Sequence, residues 1–376
     1  MMSGTKNQFS ITRATLSTSG RAKSNFLSAL CILGIVAGLI PQSGRVWGQS
    51  SGAQDPVVRS PGKGPDQLTS EDVCEVTLRS LGPTIMPGRV ADLAVDPRNR
   101  SVWYLANGSG GLWKTTNRGN DWHPIFDEGG SYSLGCVTID PGNPDVVWLG
   151  TGENSSNRSV GYGDGVYKST DGGKSWKNMG LRDSQHIGRI IVDPRDSDVV
   201  FVAAEGPLWS PGGDRGLFKT TDGGQTWKAV LEISENTGVT SIAYDPRNPD
   251  VMYAASYQRR RHFGLLIGGG PESAIYKTGN GGESWKQLTN GLPEVDKGRI
   301  ALAVSPQKPD MVYALVCAAG DRSGFFRSAD GGETWTRQSG YEVVDPQYYG
   351  EIYPDPYHYD RVYAIDSTIH VTEDGG

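Results

Sequence analysis

The chain has 376 residues, with 36 Lys and Arg against 42 Asp and Glu and a formal net charge of −6 at pH 7. No basic tail or stripe is present, which excludes the electrostatic footprint of a nucleic-acid binder. Its 52 Gly and 22 Pro would suggest disorder if they fell without period, but they recur at turn positions and so punctuate strands.

Residues 1–48 carry Lys6, Arg13, Arg21, Lys23 and Arg45 and no acidic residue. Residues 26–40 form a 15-residue apolar run, short for a membrane span and suited to a signal-peptide core. Gly48 offers a small residue for cleavage. The expectation is a signal peptide over 1–48, a secreted, periplasmic or cell-surface protein, and no membrane span after its removal. Losing five of 36 basic residues leaves 31 against 42 acidic, a net charge of −11. Residues 49–70 are polar and hold Pro56, Pro61 and Pro65, and read as a flexible linker. Residues 71–376 form the repeat domain. Cys31 leaves with the signal. Cys74, Cys136 and Cys317 remain, an odd number without CxxC spacing, so neither a disulfide framework nor a zinc site is read, and one disulfide stays open.

From residue 88 two motifs alternate. The first is an apolar run, an Asp-Pro step, a polar turn and a second apolar run, at 93–104, 137–148, 190–201, 242–253, 302–313 (there Ser-Pro) and 352–363. Pro cannot extend the strand it follows, so it marks the turn. The second motif is a hairpin: GLWKTTNRGNDW at 111–122, GVYKSTDGGKSW at 165–176, GLFKTTDGGQTW at 216–227, AIYKTGNGGESW at 274–285, GFFRSADGGETW at 324–335, and VTEDGG at 371–376. In each, alternating strand residues meet a tight turn. Gly accepts φ > 0 there, and the Asp or Asn side chain bonds the local backbone. A Trp then opens the next strand with a large apolar face to bury. Asn117, Trp122, Asp171, Trp176, Asp222, Trp227, Asn280, Trp285, Asp330, Trp335 and Asp374 are therefore assigned structural roles.

Together the motifs make four-stranded units. In the third, the strands are expected at 189–192, 199–203, 217–220 and 226–230. Helical signal is nearly absent. Successive units start 44 to 60 residues apart. This predicts an all-β fold, a β-propeller of four-stranded blades, with five complete blades and part of a sixth. The sixth unit lacks a fourth strand, so the chain reads as the front of a longer propeller, expected to associate when expressed as it stands.

The hairpin resembles the Asp-box (BNR) motif, S/T-x-D-x-G-x-T/S-W, of sialidases, sortilins and several β-propeller glycosidases. The resemblance implies that it closes the third and fourth strands of each blade. With Leu81-Gly82-Pro83, Gly88-Arg89-Val90, the NMGLRDS stretch at 178–184 and Tyr257-Gln258-Arg259-Arg260-Arg261, the chain is similar to large secreted bacterial proteins with sortilin/VPS10-like repeats, often labelled glycosyl hydrolases. The arginine motif of sialidases does not occur. Xyloglucanase-type propellers place a catalytic Asp in Y-x-R-T-D-x-G-G. The matching stretch here, YLANGSGG at 104–111, has Gly108 at the Asp position and Ala106 at the Arg position. One of the two carboxylates that mechanism needs is missing.

His123, His186, His262, His358 and His370 are scattered without metal spacing, and no cofactor motif occurs, so no metal and no cofactor are expected. The A–B turns and hairpins are short and uniform. The loops between second and third strands vary and are long, and such loops on a rigid scaffold carry recognition. They and the neighbouring connections supply Asn157, Arg158, Tyr162, His186, Trp209, Tyr257, Arg259, Arg260 and Arg261 as candidate ligand contacts. Glu153, Asp164 and Glu205 are candidate catalytic carboxylates. The expected function is binding of an extracellular polymer, a polysaccharide or a protein or peptide, on this B–C face. The alternatives are a glycoside hydrolase on the same face and a non-catalytic sortilin-like receptor or scaffold.

Overall fold

A computed structural model describes residues 88–343, 345–348 and 350–376. The expected signal peptide, the linker, residues 71–87 and Cys74 lie outside them. Five antiparallel sheets of four strands and one of three follow each other along the chain. In the third blade the strands are Ile187–Asp193, Asp196–Ala204, Gly216–Thr220 and Lys228–Leu231, against the four expected there. The six inner strands are Val90–Val95, Leu134–Ile139, Ile187–Asp193, Thr237–Asp245, Lys297–Val304 and Glu351–Pro354. They surround one central cavity of about 530 Å³. The fold is a six-blade β-propeller arrangement, and its only described helix is the single turn Arg182–Ser184.

Both motifs have a visible reason. The Asp of each Asp-Pro step accepts hydrogen bonds from its own turn. Asp140 Oδ1 takes Gly142 N and Asn143 N at 2.7 and 3.1 Å, and Asp355 Oδ1 takes Tyr357 N and His358 N at 2.7 and 3.1 Å. In the hairpin at 165–176, Ser169 Oγ donates to Asp171 Oδ1 at 2.8 Å and accepts Gly173 N at 2.8 Å. Asp171 Oδ1 also accepts Lys174 N and Ser175 N, both at 2.9 Å. The same bonds recur around Asp222 and Asp330. They hold the carboxyls of Asp171 and Asp222 far below the usual range and that of Asp330 at about 2. Gly172 and Gly173 sit at φ 70° and 88°, a region that favours Gly.

Apolar clusters lie between blades, because each blade has two faces to bury. Trp176 packs with Tyr104 and Leu112 of the preceding blade, Trp227 with Trp148 and Val166, and Trp335 with Tyr253 and Ile275. Trp335 is buried; Trp176, Trp227 and Trp285 are half-buried. Trp176 Nε1 donates to Ile125 O at 2.9 Å and Trp227 Nε1 to Met179 O at 2.7 Å. A lysine in the third strand adds a second link. Lys114, Lys168 and Lys219 lie over the rings of Tyr104, Trp148 and Phe201. Each donates to a Gly carbonyl in the next hairpin, Gly172, Gly223 and Gly281, at 2.7, 3.2 and 2.9 Å. The sequence pattern showed these lysines without showing their task. The faces of blades 1 and 6 turned from their packed neighbours stay accessible at Leu93, Val95, Ile369 and Val371. Cys136 and Cys317 are free thiols, Cys136 buried and Cys317 partly so.

Candidate functional site

The loop after the second strand of blade 2 crosses the upper end of the central cavity, where Asn154 lines it. Four consecutive carbonyls of this loop are each held by a side chain from elsewhere in the ring. His186 Nδ1 donates to Glu153 O at 2.9 Å, Arg299 Nη1 to Asn154 O at 2.6 Å, Arg259 Nη1 to Ser155 O at 2.7 Å, and Arg261 Nε to Ser156 O at 2.6 Å. A carbonyl only accepts, so the His186 proton sits on Nδ1, and Nε2 is buried with no hydrogen-bond partner. Burial first, then the nearby Arg259 and Arg215, hold the His186 pKa well below its ordinary value.

Two ion pairs sit beside the loop. Arg89 grips Glu153 in bidentate fashion, Nε to Oε1 at 2.5 Å and Nη2 to Oε2 at 2.7 Å. Arg259 Nη2 lies 3.0 Å from Glu205 Oε2, with side-chain exposures of 0 and 1%. Asp164, half-buried, accepts the Tyr167 hydroxyl at 2.6 Å, while its own N donates to Thr151 Oγ1 at 2.9 Å. A Cβ on Gly108 would fall 2.6 Å from Glu153 Cδ and Oε1. The space beside position 108 is thus filled by the Glu153 carboxylate.

The structure divides the candidate contacts into two layers. Arg158, Tyr162 and Trp209 are exposed. Asn157, His186, Tyr257, Arg259, Arg260 and Arg261 are buried, His186 in ring contact with Tyr162. The Tyr162 ring lies edge-on to His186 at 5.9 Å, and Ser131 Oγ donates to Tyr162 O at 2.8 Å; the adjacent Tyr132 is exposed. Arg89, Arg215 and Arg299 went unnoticed as anchors. Arg215 donates to Gly212 O at 2.9 Å and Glu205 O at 2.8 Å, bracing the blade 3 loop. The Gly88-Arg89 step was visible in sequence, but its partner 64 residues on was not. The long connection between the second and third strands of blade 4 holds an extra hairpin, Arg260–His262 with Leu265–Ile267. Lower in the cavity, Asp92 accepts Val137 N at 3.1 Å and faces Arg189 at 3.9 Å, and Tyr353 donates to Glu351. Among the described residues no group of three or more His, Cys, Asp or Glu could hold a metal. No described helix is long and apolar enough to cross a membrane.

Fold and repeats together define an Asp-box β-propeller. A model of the family described as "Sortilin, neurotensin receptor 3" matches residues 164–318. The chain is 26% identical over 242 residues to xyloglucanase Xgh74A of Acetivibrio thermocellus, covering 54% of this chain and 26% of that protein. It is 23% identical over 237 residues to the oligoxyloglucan-reducing end-specific xyloglucanase of Emericella nidulans, covering 58% and 26%. The chain therefore spans about a quarter of the length of these curated relatives. Among solved structures, an ancestral GH74 enzyme matches with a TM-score of 0.56 at 19% identity, covering 76% of this chain and 39% of that one. The GH74 xyloglucanase of Xanthomonas campestris matches with a TM-score of 0.51 at 16% identity, covering 78% and 53%. At these identities the structural matches speak for the fold. The similarities fit an Asp-box propeller of the glycosyl hydrolase group, the resemblance the repeats carry.

Proposed function

We propose that this chain is an extracellular propeller that binds a polysaccharide on its B–C face without cleaving it. The observation that carries this is the layering of the face: aromatic rings and Arg158 are exposed above, and the ionisable groups below are already engaged. Tyr162, Trp209 and Tyr132 offer flat apolar surface with polar tips, the chemistry that stacks on sugar rings. Hydrolysis needs two carboxylates free to reach one glycosidic bond. Glu153 and Glu205 are buried against arginines, the Asp164 carboxylate accepts the Tyr167 hydroxyl, and Gly108 carries no side chain. The xyloglucanase relatives favour a β-glucan backbone as the polymer. The test is affinity electrophoresis through xyloglucan, cello-oligosaccharide-bearing and polygalacturonate gels, with a reducing-sugar assay on the same preparations. Retardation in xyloglucan with no release of reducing ends is expected. Release of reducing ends that disappears in Glu153→Gln would replace this reading with the hydrolase.

A further inference from the structure

We propose that the extra hairpin of blade 4 is a docking edge for an extended peptide of a partner protein, one that alternates apolar side chains and carries Lys or Arg. Arg260–His262 pairs with Leu265–Ile267 across the two-residue turn Phe263-Gly264, in the register Arg260↔Ile267, Arg261↔Leu266 and His262↔Leu265. The base is rigid. Arg260 donates to Asn236 Oδ1, and Arg261 to Ser156 O. The first strand's outer edge is taken, because Arg261 N donates to Leu208 O at 2.8 Å. The outer edge of Leu265–Ile267 has no backbone partner among the described residues. Phe263 is fully exposed, Leu265 is 55% exposed and Ile267 37%.

An apolar strand edge with free backbone groups invites another strand, and proteins that keep such an edge bare guard it with charge, Pro or a bulge. Residues 263–267 contain no charge and no Pro. The edge runs into Gly268-Gly269, which wall a cleft of about 510 Å³ whose far side includes Ala318, Ala319, Val343 and Pro346. A free edge beside a side-chain pocket is the arrangement by which a peptide adds as a strand: the edge supplies hydrogen bonds and the pocket supplies selection. The cleft also carries the exposed carboxylates of Asp296 and Glu342. Among the described residues the Glu342 carboxylate has one hydrogen bond, from Ser323 Oγ at 3.5 Å, and neither carboxylate sits within ion-pair distance of a cation; Lys297, the cation on the cleft wall, is turned to Pro293 O and Val295 O at 3.1 and 3.3 Å, so the wall keeps a net negative charge. These two charges select a basic residue in the peptide. They also repel an anionic membrane and the same acidic cleft on a second copy.

The test is fluorescence anisotropy on the full chain with a labelled nine-residue peptide that alternates Val and Thr and ends in Lys at both termini. Binding is expected, weakened at least tenfold by backbone N-methylation at alternate residues, by Glu in place of Lys, or by Leu265→Asp with Ile267→Asp. Asp296→Lys with Glu342→Lys should reverse the preference between Lys and Glu ends, which keeps the charge claim testable should the first pair disturb the hairpin. Equal binding of the N-methylated peptide, an unreversed end preference, or no binding at millimolar peptide would overturn the proposal. So would wild-type dimers in light scattering that Leu265→Asp dissolves, or flotation with phosphatidylserine vesicles.

Discussion

Replacing Arg259 with Met should strand the Glu205 carboxylate in the interior. Both side chains are out of solvent, at 0 and 1% exposure, and 3.0 Å apart. Among the described residues no hydrogen bond reaches either Glu205 oxygen, so Arg259 is its ion-pair partner, with the Arg215 charge a further favourable neighbour. Breaking a buried pair by removing one partner costs about 3–5 kcal/mol. Removing the second charge as well, in Arg259→Met with Glu205→Met, should return most of that loss, because replacing a whole buried pair by apolar residues is close to neutral or stabilising. A residue of about 1–2 kcal/mol should remain, because Arg259 also donates to Ser155 O at 2.7 Å and Ser156 Oγ at 3.3 Å. Urea unfolding of the wild type, both single variants and the double variant measures each value, and the cycle isolates the pair. Hydrogen exchange over 152–164 should rise in both Arg259 variants, since the strap over the loop is cut in each. An Arg259→Met protein within 1 kcal/mol of wild type, or a double variant as unstable as the sum of its parts, would refute the reasoning.

Trp335→Ala should cost about 3–5 kcal/mol in a denaturant melt, and Trp227→Ala less, because only Trp335 is buried. The hairpin carboxyls have folded values below the unfolded value of about 3.9, so their stabilisation is complete above about pH 4 and is lost as pH falls through the folded values. Acid denaturation of Asp171→Asn with Asp222→Asn and Asp330→Asn should therefore start from lower stability at pH 7 and fall less steeply between about pH 4 and 2 than wild type. Gly108→Asp should lose about 1–3 kcal/mol from the clash with Glu153 and gain no reducing-sugar release; activity appearing in that variant would contradict the layout of the site.

The scaffold was legible because its signals are local. Asp171, Ser169 and Gly173 make their bonds within four residues of each other, so the hairpin and its register can be read off twelve letters. The packing of Trp176 and Trp227 against the preceding blade follows from repeat stacking. The site was legible only as a face. Arg259, Arg260 and Arg261 read as ligand contacts together with Trp209, yet they are buried and Trp209 is exposed. Their partners, Ser155, Ser156 and Glu205, lie 54 to 105 residues away, beyond any local pattern. The extra hairpin escaped notice because its strands are three residues each and its turn, Phe263-Gly264, has an apolar first residue where Asn or Asp is usual. Gly108 was read as a missing carboxylate; that Glu153 fills the same space emerges only in three dimensions.

The most direct measurement of the central claim is isothermal titration of xyloglucan oligosaccharides into the wild type, Tyr162→Ala with Trp209→Ala, and Arg158→Ala. Two stacked rings at about 1–3 kcal/mol each by analogy with aromatic–base stacking set the scale for the double variant. The account predicts saturable binding to the wild type, at least tenfold weaker binding to the Tyr162/Trp209 variant with an unchanged melting temperature, and a smaller loss for Arg158→Ala. Unchanged affinity in the Tyr162/Trp209 variant, or binding that fails only when the fold fails, would contradict it.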